Sequence, residues 1–153
     1  IQAERLSQQS QQDLAQILDE LRSPDADLPF VDRLRRRAQD WAQLSQITLD
    51  LDLTASPELS AQSEDALLRI VDEALSNILR HSNALRANIS LHRDDHELTL
   101  EIADNGRGMD INATPGMGLA NMRQRAESLP GGRFTLGSAD TDGVRIRITL
   151  EMA

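Results

Sequence analysis

The sequence has no cysteine and no tyrosine, and its only aromatic residues are Phe30, Trp41 and Phe134. Without thiols there is no disulfide framework, no thiolate metal site and no cysteine nucleophile, a usage compatible with the cytoplasm. With so few rings, aliphatic side chains must fill the core. At 153 residues the chain is long enough to build one, as a single domain with at most an appendage. Cations are also in short supply: 25 acidic against 16 basic residues give a formal charge of −9, which argues against a nucleic-acid partner. An acidic chain still binds a nucleotide locally, through backbone amides and magnesium. No apolar run approaches the ~20 residues of a membrane-spanning helix, and no signal-peptide pattern opens the chain. Internal repeats are missing too. Because the sequence starts at Ile1, in a stretch already helix-favouring, we expect a piece cut from a longer protein.

What is present is organised around residues 98–122. Leu98, Leu100 and Ile102 alternate with Thr99 and Glu101, so a strand here turns its apolar side chains to one buried face. Asp104 shares their parity. If the strand keeps its phase, a carboxylate lies at the mouth of the core, where an unpaired charge costs several kcal/mol or shifts its pKa. Gly106, Gly108, Gly116 and Gly118 remove side chains on either side, so that a planar or phosphorylated ligand can approach backbone. Such a pocket would have an acid at its floor and bare amides at its rim. A plain Asn-Gly turn after a strand is the alternative, and these residues alone leave both open.

Along the chain, Gln2 to Leu21 is polar and helix-favouring, with an apolar stripe of Leu14, Ile17, Leu18 and Leu21. Residues 1–24 form one unit, 25–29 a linker, and 30–153 the main domain. From Phe30 to Gln46, Val31, Leu34, Ala38, Trp41 and Leu44 recur at helical spacing, and Arg33, Arg35, Arg36 and Arg37, on other faces, read as a solvated face. Ile47 to Leu53 alternates as a strand. Ser63 is the expected N-cap of a helix reaching about His81, whose apolar arc runs from Leu67 to Leu79. Glu73, Asn77, Arg80 and His81 form a polar stripe flanking that arc. Strands at residues 86–92 and 98–104, a helix around Leu119 to Leu129, and strands at Phe134–Leu136 and Val144–Leu150 complete the order. The fold expected is α+β, a two-layer sandwich whose mixed, mostly antiparallel sheet is covered on one face by helices. A doubly wound parallel sheet fails, because the turns at 94–96 and 139–143 are hairpin-short. A dinucleotide-binding domain fails on its glycine spacing.

Taken alone, Glu73 and Asn77 are an ordinary polar helix flank. As a set, Glu73 with Asn77, Asp104-x-Gly106-x-Gly108, and Gly116-x-Gly118 before a helix resemble the N, G1 and G2 boxes of sensor histidine kinases. The resemblance is to their ATP-binding catalytic domain, a Bergerat-type fold shared with type II topoisomerase and heat-shock chaperone ATPases. It covers about residues 30–152. The stretch from Asp72 to Ala84, with Met122 to Ala126, looks most like the nitrate/nitrite-sensor subfamily. The resemblance implies that Asp104 accepts a hydrogen bond from the adenine amino group, that Asn77 ligates Mg2+, and that Glu73 assists phosphoryl transfer. Arg80 and His81 stand where the subfamily has Lys-His, near the phosphates. Gly106, Gly108, Gly116 and Gly118 frame a lid, and the helix from Leu119 presents its positive end to phosphate.

Arg80 keeps the charge of lysine but turns a point donor into a planar fork. The insert Met109 to Pro115 is short and carries no aromatic clamp. The histidines are His81, His92 and His96, and none lies on the amino-terminal helix. The resemblance therefore implies an ATP- and Mg2+-dependent kinase domain whose phosphoacceptor lies outside this sequence, with Gln2 to Leu21 as the tail of a dimerisation hairpin. The implied partners are that hairpin and a response regulator, in a membrane-anchored homodimer whose catalytic part is cytoplasmic. Two other readings use the same fold: an anti-sigma-factor-type serine kinase, and a non-catalytic interaction module working through the Leu14 to Leu21 stripe.

Overall fold

A computed structural model describes residues 27–107, 117–139 and 143–152, with Ser82 and Met117 described by their backbone. The amino-terminal unit, the start of the linker, Gly108, Gly116 and the Met109 to Pro115 insert lie outside the described residues. Helix α1 spans Phe30–Ser45, strand β1 Thr48–Leu53 and helix α2 Ala61–Asn77, which continues as a π-helical turn, Ile78–Ser82. Strands β2 (Arg86–Arg93) and β3 (Glu97–Asp104), helix α3 (Met117–Glu127), and strands β4 (Arg133–Ser138) and β5 (Val144–Glu151) follow.

The five strands form one sheet in the order β1-β2-β3-β5-β4. β1 and β2 are parallel, joined over the sheet by α2, and the other pairs are antiparallel. The expected mixed sheet covered by helices is what the chain builds. Alternation makes it two-faced. Ala87, Ile89 and Leu91 of β2, Leu98, Leu100 and Ile102 of β3, and Ile146, Ile148 and Leu150 of β5 are buried beneath the helices. Leu67, Ile70, Val71, Ala74 and Leu75 of α2 and Met122 and Ala126 of α3 meet them. The opposite face is polar: Thr99 and Glu101 stand beside Arg147 and Thr149, and Arg133 of β4 pairs with Glu97 at 2.7 Å.

β1 is an outer strand. Its leucines are half-buried, while Asp50 and Asp52 point outward and pair with Arg86 and His92 of β2, each at 3.4 Å. Helix α1 packs against it through Phe30, Leu34 and Ala38. The arginines of α1 divide in a way that periodicity does not reveal. Arg35 and Arg36 are exposed as expected, but Arg33 and Arg37 are half-buried and bridge to Glu64 and Asp72 of α2, the second pair at 3.0 Å. Half the supposed solvated face is thus an inter-helix seam.

The start of α2 needs a larger correction. Its N-cap is Ser60, in extended conformation, whose hydroxyl accepts the N–H of Ser63 at 3.1 Å. Ser63 is buried one turn inside the helix. Two serines three residues apart offer the same capping chemistry, and the one left in the extended region takes it. At the other end the α-helix stops at Asn77, and the π turn carries on to Ser82 before Asn83, at φ 52°, reverses the chain. Ser60→Ala is expected to cost about 1 kcal/mol of stability. Ser63→Ala should cost less, and chemical denaturation of the two variants checks the order.

Candidate active site

Strand β3 holds its phase to its last residue, and Asp104 is 5% exposed. Its Oδ1 accepts the N–H of Gly106 at 2.7 Å, and the N–H of Val144 also bonds to its carboxylate. Burial pushes the pKa up, and the two backbone N–H groups pull partly back. The residue beside this acid was read only as part of a turn. A Cβ on Gly143 would lie 1.8 Å from the Asp104 carbonyl oxygen and 2.7 Å from Oδ1, so the backbone before β5 forms one wall of the acid's niche. Asn105 is a second residue that sequence reasoning passed over. Its Oδ1 accepts the N–H groups of Leu85 and Arg86 at 3.0 and 2.9 Å, and its own N–H donates to the Arg86 carbonyl. It pins the end of β3 to the start of β2.

The polar flank of α2 forms the second half of the site. Arg80 Nη2 donates to Asn77 Oδ1 at 3.2 Å and lies 3.5 Å from Glu73 Oε1, while Nε donates to the Ser76 carbonyl at 3.4 Å. Arg80 lies in the π turn that begins after Asn77, and single π turns recur at functional sites. Helix α3 closes on the same group. A Cβ on Gly118 would lie 2.2 Å from Glu73 Oε1, so the first turn of α3 rests against that carboxylate. An anion at a helix N-terminus is favourable by ~0.3–1 kcal/mol where exposed. Leu119, next to it, is half-buried against the core.

Glu73, Asn77, Arg80 and Gly118 thus meet at one point, and Asp104, Gly106 and Gly143 at another. The His81 imidazole is exposed, and its carbonyl accepts Arg107 Nε–H at 3.1 Å, a contact between the two groups. His92 and His96 are elsewhere: His96 precedes β3 at the end opposite Asp104, a strand length of roughly 25 Å away. Among the described residues no three His, Cys, Asp or Glu side chains gather as a self-sufficient metal site. The carboxamide oxygen of Asn77, half-exposed and engaged by Arg80, is of the donor type that Mg2+ takes, since the ion needs few protein oxygens.

The buried acid at the end of β3 and the polar flank of α2 belong to a fold whose class the comparisons with known proteins define. The family model described as histidine kinase-, DNA gyrase B-, and HSP90-like ATPase matches residues 62–153, and the chain belongs to that family. Its relatives narrow the class. Sensor protein VraS of Staphylococcus aureus is 41% identical over 87 residues, covering 56% of this chain and 25% of its own length. VraS of Staphylococcus epidermidis is 40% identical over the same span. The chain thus spans about a quarter of the length of the curated relatives it matches. Among solved structures, the ATP binding domain of PrrB from Mycobacterium tuberculosis superposes with a TM-score of 0.64 at 26% identity, over 82% of this chain and 96% of that one. The histidine kinase domain of the blue-light activated kinase of Erythrobacter litoralis EL346 reaches a TM-score of 0.67 at 19% identity, over 80% and 60%. This second likeness is one of fold.

The two close-packed glycines should respond differently to an added methyl. Gly143→Ala meets backbone, which has no room to yield, and is expected to destabilise by about 1–3 kcal/mol. Gly118→Ala meets the far end of a flexible side chain, so stability should change by no more than about 0.5 kcal/mol while Glu73 is displaced. Thermal melts of the two variants separate these outcomes.

Proposed function

We propose that the chain is the Mg-ATP-binding catalytic domain of a sensor histidine kinase, which transfers the γ-phosphate to a histidine outside this sequence for relay to a response regulator. The observation that carries the proposal is Asp104. A buried carboxylate held by N–H donors at a strand end offers an acceptor to a neutral donor such as the adenine amino group. Arg80 lies on Asn77 and Glu73. Triphosphate draws the guanidinium off these partners and onto the phosphates. Asn77 Oδ1 would hold Mg2+, which would supply charge neutralisation when bound. The resemblance gives Gly106, Gly108, Gly116 and Gly118 the framing of a lid, and the first turn of α3, at Gly118 and Leu119, offers backbone N–H groups to phosphate.

Phosphoryl transfer asks the protein mainly for positioning and charge neutralisation. An imidazole nitrogen of the incoming histidine attacks the γ-phosphorus, the bond to the bridging oxygen breaks, and ADP leaves with that electron pair. Glu73 stands beside Asn77 to assist this step, and His81 lines the approach. The amino-terminal segment belongs to the dimerisation hairpin of the parent protein. That parent is a membrane-anchored homodimer, with this domain in the cytoplasm and a response regulator as its partner. VraS, a sensor protein by name, supports a sensory role for the parent. The finer kinship with nitrate/nitrite sensors rests on the stretch from Asp72 to Ala84.

Asp104→Asn should abolish ATP binding measured by calorimetry, and unchanged affinity would overturn the proposal. The folded-state pKa of Asp104 is raised, so the folded chain binds protons more readily than the unfolded one in that window. Stability therefore falls as pH rises through the window, and the ionised acid remains a cost at pH 7. The asparagine variant is accordingly expected to melt no lower than the parent. ATP affinity of the parent chain should fall as pH drops through the same window, because protonation removes the charge and turns one carboxyl oxygen from an acceptor into a donor.

A further inference from the structure

Arg107 has no role in the account given so far, yet its position is unusual. It follows Gly106, whose N–H holds the Asp104 carboxylate at 2.7 Å. Its own Nε–H crosses 26 positions of sequence to reach the carbonyl oxygen of His81 at 3.1 Å. His81 lies in the π turn that carries Arg80, and Arg80 contacts Asn77 and Glu73. One side chain therefore ties the loop that carries the adenine-facing acid to the turn that carries the phosphate-facing cation. Carbonyls in the last turn of a helical segment lack partners within it and carry partial negative charge, so a guanidinium is a fitting donor there. Asn105 makes a parallel tie, but to the backbone of Leu85 and Arg86 at the base of β2. The Arg107 contact is the one that reaches the helical side of the site.

We propose that Arg107 is a positioning residue, a clasp that fixes the separation between the adenine end and the phosphate end of the nucleotide site. This rests on the nucleotide-binding reading above and adds a residue to it. Fixing that separation preorganises the site for a ligand that spans both ends, and does little for a ligand that touches only one. The chain thereby favours an intact nucleotide over its separate halves. Because Arg107 is exposed, its removal spares the core.

The test uses the 153-residue chain and its Arg107→Ala and Arg107→Lys variants, with ATP, adenosine and inorganic tripolyphosphate as probes in magnesium-containing buffer. Arg107→Ala should raise the Kd for ATP by roughly three- to tenfold, the scale of one modest hydrogen bond, with adenosine and tripolyphosphate unchanged. Arg107→Lys should restore part of the loss, since an ammonium still donates to a carbonyl. Equal losses for ATP and tripolyphosphate would make Arg107 a phosphate ligand and overturn the clasp. A loss for adenosine, or no loss for ATP, would overturn it as well. Amide hydrogen exchange on the unliganded chain is the second measurement: residues 81–86 should exchange faster in Arg107→Ala, and identical protection would refute the contact's role. A wild-type chain that binds no ATP would remove the nucleotide reading, and the exchange comparison would still decide whether the clasp holds.

Discussion

Asp104 is the constraint on which the remaining structure depends. It stands at the end of a strand whose other inward residues are Leu98, Leu100 and Ile102, so the chain keeps a carboxylate dry where an aliphatic side chain would stabilise more. What makes this tolerable is backbone. The N–H groups of Gly106 and Val144 turn toward the acid from two separate segments, and Gly143 lets the second of them come close. The loop after β3 and the start of β5 are therefore held in place by one side chain. An acid of this kind is costly to stability and useful to binding, which is the usual balance at functional sites.

The opposite wall obeys a different physics. Glu73, Asn77 and Arg80 lie on a half-exposed helix flank, where charge is cheap; Arg80 pairs with Glu73 at 3.5 Å and donates to the Asn77 carboxamide at 3.2 Å. That cluster is cohesive without being rigid. The π turn that presents Arg80 departs from the i→i+4 pattern, and α3 reaches the cluster through a residue without a side chain. The site thus joins a rigid acid embedded in the sheet to an adjustable group at the end of a helix. In the reading proposed above, the first would meet the purine and the second the polyphosphate of a nucleotide.

Much of this was legible in the sequence, for a physical reason. Strand period places Asp104 inward, and helix period places Glu73, Asn77 and Arg80 on one line, because both are consequences of local backbone geometry. Gly143, Asn105 and Arg107 were not legible in the same way. Each acts on a partner far along the chain, and no local period encodes which backbone segment lies opposite. The same limit explains Arg33 and Arg37, which look like surface residues until α2 is laid beside α1. Ser60 and Ser63 illustrate another limit: two equivalent caps one helical turn apart differ only in which of them stays extended.

The outward carboxylates of β1 bear on how this chain behaves in a crowded solution. A sheet that ends in a strand with unpaired backbone groups invites a second copy to add on and polymerise. Asp50 and Asp52 occupy every second position there, in part balanced by Arg86 and His92 of the same molecule. A like strand drawn alongside would confront them with further negative charge, which opposes fibril-style growth at its first step.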